Sequence, residues 1–380
     1  MKEFEIILIT TLIVLLLVII WIFSRLYRKK NQKKLSLNLD IGIDEIPDFC
    51  DIEEKVIYFN YERLDDKMKY VYDTIYDSIQ RNEALIEIGS CDQNTIDIVY
   101  NSILLDHPEL FWLSGAYTFY STDEGNKIKP VSIIRLKSIQ RYKNKFEKKI
   151  SAIIESTAMA EDTYQKILML HDYIVDHSEY DIKAKEKYSS NPIASTSYGC
   201  IVDNLAICTG YAKGFQLLLN RIGVSCGCIS GVCENGENHM WNYVRYGKDF
   251  YYVDVTFDDP LQKKKQYDNK SHRYFFVTTE DILKSREILT ETEFIPECNS
   301  TKYNYFVYMG RFYKKYSVEA LRELVAYNRD NEIEFRFATK EVYEEAVQKL
   351  FFDKECYDII KGHKITYSKD DDLFVIELCY

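Results

Sequence analysis

The sequence predicts an α+β protein. Three observations point there: Tyr211, Phe215, Leu218 and Leu219 recur at helical spacing behind Cys208; two aromatic and β-branched runs, His239–Tyr246 and Asp249–Phe257, are separated only by Gly247-Lys248; and the tail alternates strand-like with amphipathic segments. At 380 residues and 46% hydrophobic content, the chain has material for two or three units with cores of their own.

The N-terminus reads as a membrane anchor. Ile6–Ser24 is uncharged, long enough to cross a hydrocarbon core, and carries Trp21 near its end. No small-residue cleavage site follows it, and the basic flank Arg25, Arg28, Lys29, Lys30, Lys33 and Lys34 comes directly after, so a retained single-pass helix is expected over a cleaved signal peptide. Residues 1–34 are thus an anchor with its flank, and residues 35–55, acidic with one proline, a linker.

Residues 56–145 predict a small α+β region: a helix at Tyr61–Gln80, a strand at Ala84–Gly89, a helix at Asn94–Leu105, and a hairpin-like pair from Leu110–Tyr120 and Pro130–Ile139. The core is expected at 146–290. Helical patterns over Tyr142–Thr157 and Glu161–Asp176 lead through irregular 191–197 to the Cys208 helix, a strand over Val224–Val232 and the aromatic hairpin. Polar Lys263–His272 follows as a loop, a flap beside the site. In the C-terminal lobe, 300–380, the pattern predicts a strand pair at Tyr303–Phe312, helices at Ser317–Tyr327 and Lys340–Phe351, a strand at Glu332–Phe337, and a hairpin from Lys364–Tyr367 and Leu373–Leu378.

Cys208, His239 and Asp254 stand out chemically. A cysteine opening a helix faces the positive end of the macrodipole and first-turn N–H groups that can donate to an oxyanion. On the predicted hairpin, a two-residue turn places Tyr246 opposite Asp249. Counting outward pairs His239 with Thr256 and sets Asp254 diagonal to His239 on the same face, where a carboxylate reaches the imidazole. Thiol, base and orienting carboxylate are the parts of a nucleophilic relay.

These residues lie in local sequences that resemble the transglutaminase-like superfamily of bacterial papain-fold proteins. The matching stretches are Tyr198-Gly199, Cys208-Thr-Gly-Tyr-Ala212, Ser230-Gly231, His239-Met-Trp-Asn242 and Val253-Asp-Val-Thr-Phe-Asp-Asp-Pro260, with His171-Asp-Tyr-Ile174 and Tyr180-Asp181 upstream and Tyr274-Phe-Phe276 and Glu280-Asp-Ile282 downstream. The resemblance implies a papain-like, transglutaminase-like core with flanking α+β lobes. It also implies Cys208 as nucleophile, His239 as general base and acid, and Asp254 as its orienter. Met240 and Phe257 depart from the usual pattern, and neither is expected to touch the relay. The second oxyanion donor has no clear counterpart; Tyr198 and Asn204 are the candidates, with Trp241 a candidate substrate contact.

Other features have plainer readings. Cys226, Cys228 and Cys233 lack a CxxC pair or second cluster, so strand packing is preferred to zinc. His171 reads as a hydrogen-bonded structural histidine, and Asp258-Asp259-Pro260 as a turn ending a strand rather than a calcium site. No metal or cofactor is expected. Net charge of −11, with the basic residues of 25–34 set against a more acidic remainder, speaks against nucleic acid and assigns that flank to anionic lipid. Charge asymmetry across Ile6–Ser24 favours a cytoplasmic domain, as do ten cysteines in no disulfide spacing; extracellular placement is the alternative. The function expected is membrane-anchored thiol acyl transfer on protein or peptide amides, by transamidation or hydrolysis. The alternative is a catalytically silent, membrane-tethered binding or assembly module on the same scaffold.

Overall fold

The computed structural model describes residues 55–123, 125–259, 270–289, 294–328, 331–362 and 364–380. The apolar span Ile6–Ser24, its basic flank and nearly all of the 35–55 linker lie outside the described residues, as do residues 263–269 of the expected flap. Among the described residues no helix is long and apolar enough to cross a membrane. His272, at the flap's end, is no flap residue: it is buried and stacks on Tyr305 with ring centroids 4.0 Å apart.

The chain divides after Tyr305. In the larger unit, Asp65 accepts the Met68 N–H and caps α1 (Asp66–Gln80), splitting the helix expected from Tyr61 into a short turn at Phe59–Glu62 and α1. β1 (Ile86–Gly89), α2 (Gln93–Asp106, capped by Asp92), β2 (Leu113–Thr122) and β3 (Gly125–Ser132) follow, the strands in the antiparallel order β1-β3-β2. α3 (Ile139–Ser156) and α4 (Thr163–His177, capped by Asp162) occupy the expected helical stretches.

The N-terminal α+β region and the core belong to one unit. Buried polar contacts and shared apolar packing join them: Gln216 donates to the Leu105 carbonyl at 2.7 Å, Ser197 bonds the Pro108 carbonyl, and Leu105 packs with Ala212, Cys228 and Met240.

The site-bearing layer starts at β4 (Glu179–Tyr180) and α5 (Ile182–Glu186). β5 (Leu205–Ala206) pairs parallel with β4 and feeds directly into α6 (Cys208–Arg221). Against α6 lies an antiparallel five-stranded sheet of β6 (Cys226–Cys233), β7 (Asn238–Tyr246), β8 (Asp249–Val253), β9 (Phe275–Val277) and β10 (Arg286–Ile288), in the order β10-β6-β7-β8-β9. Asn242 locks helix to sheet by donating to the Ala212 and Gly227 carbonyls at 2.9 and 3.2 Å. Tyr246 does face Asp249 across the Gly247-Lys248 turn, and the ladder runs out to Asn242 opposite Val253. There it stops. The expected pairing of His239 with Thr256 does not form, because Asp254 leaves the strand and caps a helical turn, α7 (Val255–Asp258).

The smaller unit, Phe306–Tyr380, has its own core of Leu321, Leu324, Ile333, Phe335, Phe337, Tyr343, Leu350, Ile376 and Leu378. β11 (Phe312–Tyr313), α8 (Val318–Tyr327), β12 (Glu332–Phe337), α9 (Lys340–Val347), β13 (Thr366–Asp370) and β14 (Val375–Cys379) form a helix-backed sheet ordered β11-β12-β14-β13. The strand pair expected at Tyr303–Phe312 is replaced by a helical turn at Tyr305–Tyr308. Gly310, at φ +64°, closes that turn by donating to the Val307 carbonyl, so the aromatic run is spent on a turn rather than a ladder.

Candidate active site

Cys208 is placed by a chain of local constraints. Asn204 adopts φ +53° and turns the chain into β5; the Ile207 N–H then donates to the Ala194 carbonyl at 2.9 Å, and Cys208 begins the helix. Gly210 is required here. A Cβ at that position would collide with the Ala194 carbonyl oxygen and lie 2.8 Å from the Ala206 Cβ, so a side chain would push the helix start off its seat. Behind Cys208, Tyr211, Phe215, Leu218 and Leu219 are buried, as their spacing predicts.

His239 lies on β7 opposite Gly231 of β6. Its ring is held between neighbours: Trp241 stacks at 5.9 Å and Phe257 meets it edge-on at 5.0 Å. His239 Nε2 is 2.7 Å from Asp254 Oδ2. The carboxylate therefore accepts a hydrogen bond from Nε2–H, which leaves Nδ1 as the ring nitrogen available to Cys208, whose charge also raises the imidazole. Asp254 reaches the histidine from a helix cap rather than from a strand: its other oxygen, Oδ1, accepts the Phe257 N–H at 3.1 Å.

The electrostatics follow from burial and pairing. Burial lowers the proton affinity of His239, but Asp254 and Cys208 outweigh it and push the imidazole up to about 9. For Asp254, burial opposes ionisation, while His239 and Arg286 together hold the carboxyl well below the usual carboxylate range.

Cys208 and His239 open onto a cavity of about 960 Å³ whose lining includes Tyr180, Thr209, Met240 and Phe257. Tyr180 was not anticipated as a site residue. Pairing of β4 with β5 puts it beside Ala206, and it shares the cavity wall with Cys208, whose charge acts on its phenol. Burial and the adjacent Cys208 raise the phenol well above its ordinary value, so it is a proton donor across the neutral range. Thr209 Oγ1, also at the cavity, is buried without a protein partner.

Arg286 is the second residue that was missed. It stands on β10 opposite Cys233, and its Nε and Nη2 bond Asp254 Oδ2 at 2.9 and 2.5 Å. In the sequence it is one arginine in an undistinguished Arg286-Glu287-Ile288; only sheet order brings it to the relay.

The other sequence candidates fall elsewhere. Tyr198 packs its ring among Phe111, Tyr142 and Phe146 and does not line the cavity, because α3 covers it. Asn204 is used by the backbone turn; its Oδ1 is buried without a partner, away from the cavity lining. Trp241 is buried beneath Gly231 and supports the His239 ring rather than contacting the cavity.

Cys226 and Cys228 are buried strand residues. His171, wholly buried, bonds Asp172 Oδ1 at 3.0 Å and Asp258 Oδ2 at 3.1 Å, tying α4 to the end of α7. His171, Asp172 and His272 present ligand atoms within 4.8 Å of one another, a spacing that admits a metal ion. Those atoms bond one another instead, and Lys270, 3.8 Å from Asp172, adds a positive charge that opposes a cation. Asp259, next in the turn, accepts the Tyr211 hydroxyl at 2.5 Å.

Residues 151–255 match the model of the transglutaminase-like superfamily. Among solved structures, one described as a TGase is 15% identical with a TM-score of 0.29, covering 49% of this chain and 53% of its own. A "Putative Cysteine Protease" from Cytophaga hutchinsonii is 14% identical with a TM-score of 0.26, covering 38% of this chain and 63% of its own. The chain thus spans less than two thirds of either protein. Comparison with curated protein sequences gave no match. The matched stretch, residues 151–255, contains Cys208, His239 and Asp254 and is similar to the transglutaminase-like superfamily.

Proposed function

We propose that the protein is a thiol acyltransferase or peptidase acting on protein or peptide amides, with Cys208 as nucleophile, His239 as acid and base, and Asp254 as the group that orients His239. The observation that carries this reading is the placement of His239 between a buried carboxylate, 2.7 Å from Nε2, and a cysteine at a helix start, on the wall of one cavity.

The chemistry follows from that placement. The Cys208 sulfur attacks the amide carbon, forming a C–S bond while the carbonyl electron pair moves onto oxygen. The Cys208 N–H and the Tyr180 hydroxyl are the donors for that oxyanion. His239 passes its Nδ1 proton to the departing nitrogen, the C–N bond breaks, and an acyl-thioester remains. An incoming amine or water then gives its proton to His239 and displaces the thiolate. Apolar lining by Met240, Phe257, Ile207 and Leu289 accommodates an uncharged side chain such as glutamine's stem. We place the domain at the cytoplasmic face of a membrane, tethered through Ile6–Ser24, on the charge asymmetry of that span.

The test is incubation of the purified protein with a glutamine-peptide library, with and without a primary amine, read by mass. Deamidated, cleaved or amine-coupled products that vanish in Cys208→Ala support the reading and choose among its branches. An absence of Cys208-dependent products would assign the chain to a silent binding scaffold.

A further inference from the structure

Asp254 is held from two sides through a single oxygen. Oδ2 accepts from His239 Nε2 at 2.7 Å and from Arg286 Nε and Nη2 at 2.9 and 2.5 Å, whereas Oδ1, among the described residues, accepts the Phe257 N–H alone. Arg–carboxylate pairs commonly spread over both oxygens in a fork. Here the guanidinium instead converges on the oxygen that also holds the imidazole. Arg286 has little freedom to do otherwise: it is 4% exposed, its guanidinium lies 4.1 Å from the ring centroids of both Phe257 and Tyr274, and Nη1 donates to Ser285 Oγ at 2.6 Å.

A fixed cation on the shared oxygen has two consequences. It pins the carboxylate so that Oδ2 points at Nε2, and it draws off part of the negative charge that would otherwise hold the imidazolium proton. We infer that Arg286 is a positioning residue that aims Asp254 at His239 and tempers its charge, keeping His239 able to release a proton as well as hold one. This rests on the reading of Cys208 and His239 as a nucleophile–base pair.

The remaining charged or titratable groups around His239 are Cys208 on α6, Cys233 at the end of β6, and Glu237 beside β7, itself paired with Lys185 of α5 at 2.8 Å. None of them bonds Arg286; its charge bears on Asp254 directly and on Cys233, which stands opposite it across β10 and β6.

The test is the rate of Cys208 alkylation by iodoacetamide in the full chain, followed by peptide mass from about pH 4 to 11. A thiolate–imidazolium pair gives two rises: one where the pair forms, and a second where His239 loses its proton, near pH 9 in the wild type. In Arg286→Met and Arg286→Gln, which remove the charge, the upper rise should move up by about one pH unit or more, a tenfold tighter hold on the proton. Arg286→Lys, which keeps the charge, should leave it within a few tenths of a unit. Folded neutral variants with an unmoved upper rise overturn the proposal. So does failure of both neutral variants to fold while Arg286→Lys folds with a wild-type profile, since the pair is then structural. A single rise in the wild type would instead sink the nucleophile–base reading itself.

Discussion

Asp254→Asn is the sharpest single perturbation of the site, and its effect on the fold can be worked out before its effect on the chemistry. The carboxylate is wholly buried and has four bonds to serve: His239 Nε2, two from Arg286, and the Phe257 N–H. An amide offers one acceptor oxygen. Turned toward His239 and Arg286, it presents its NH₂ to the Phe257 N–H and the α7 cap is lost, about 1 kcal/mol. Turned the other way, its NH₂ faces the guanidinium. In either orientation Arg286 keeps its buried charge without a counter-charge, and removing one member of such a pair costs about 3–5 kcal/mol. Because the amide oxygen still accepts in the first orientation, the low end of that range, about 3 kcal/mol, is expected. From the hairpin alone, the substitution is expected to leave the fold untouched; the arginine changes that expectation.

Urea unfolding followed by tryptophan fluorescence measures this directly. A loss of about 3 kcal/mol moves the midpoint down by roughly 1 M or more for typical urea slopes. Adding Arg286→Met should recover about half of the loss, since the uncompensated charge is then gone. Stability of Asp254→Asn within 0.5 kcal/mol of wild type, by that approximate yardstick of a neutral surface change, would show that the pair is solvated and the buried relay is wrong. In protein that remains folded, His239 loses the charge that raises it, so Cys208 alkylation at pH 6 should fall toward the rates of the other cysteines.

Tyr180→Phe should lower kcat by about 100-fold on whichever peptide the wild type turns over, with KM little changed, because a donor to the oxyanion acts only in the transition state; unaltered steady-state kinetics would reduce Tyr180 to a packing residue. Stability should decline with rising pH: native His239 holds its proton up to about pH 9, an unfolded histidine releases it at about 6.5, and so its contribution is full below that lower value and gone above the upper one. His171, raised by Asp172 and Asp258 against the effect of burial, acts in the same sense. Urea midpoints measured across that window should fall, and His239→Gln should flatten the slope; a rising midpoint would contradict the assignment of either proton. In intact cells, a membrane-impermeant maleimide should leave Cys208 unlabelled until lysis, and labelling without lysis would place the domain outside.

Much of the fold was legible because local signals agreed with tertiary demands. Asp92 and Asp162 are N-caps that start helices near the expected places, and the two-residue turn at Gly247-Lys248 fixed a register that the ladder keeps from Tyr246 to Asn242. Misreadings came where a local signal was overruled nearby. Asp65 broke one helix into two, and Gly310 turned an aromatic strand-like run into a helical turn. The contacts that join 56–145 to the residues after it, Gln216 to Leu105 and Ser197 to Pro108, span about a hundred residues and leave no local trace.

The same distinction explains the site. Cys208 and His239 announce themselves through their immediate sequence, and Asp254 through counting along a hairpin, so proximity in the chain made them readable. Even there the route was partly different, since Asp254 meets His239 by capping α7 after the ladder ends. Tyr180 and Arg286 reach the relay only through pairings between distant strands, β4 with β5 and β10 with β6. Their chemistry is correspondingly hard to guess from type. A tyrosine in a tyrosine-rich chain carries no signal, and a lone arginine is ordinarily a solvated surface residue. What marks Arg286 is the combination of near-complete burial, two flanking rings and a carboxylate oxygen it must share with the base. A charge so placed is costly unless paired. Its retention beside the imidazole therefore ties the stability of the fold to the proton affinity of His239, and a substitution at either end of the Asp254 pair should register in both measurements at once.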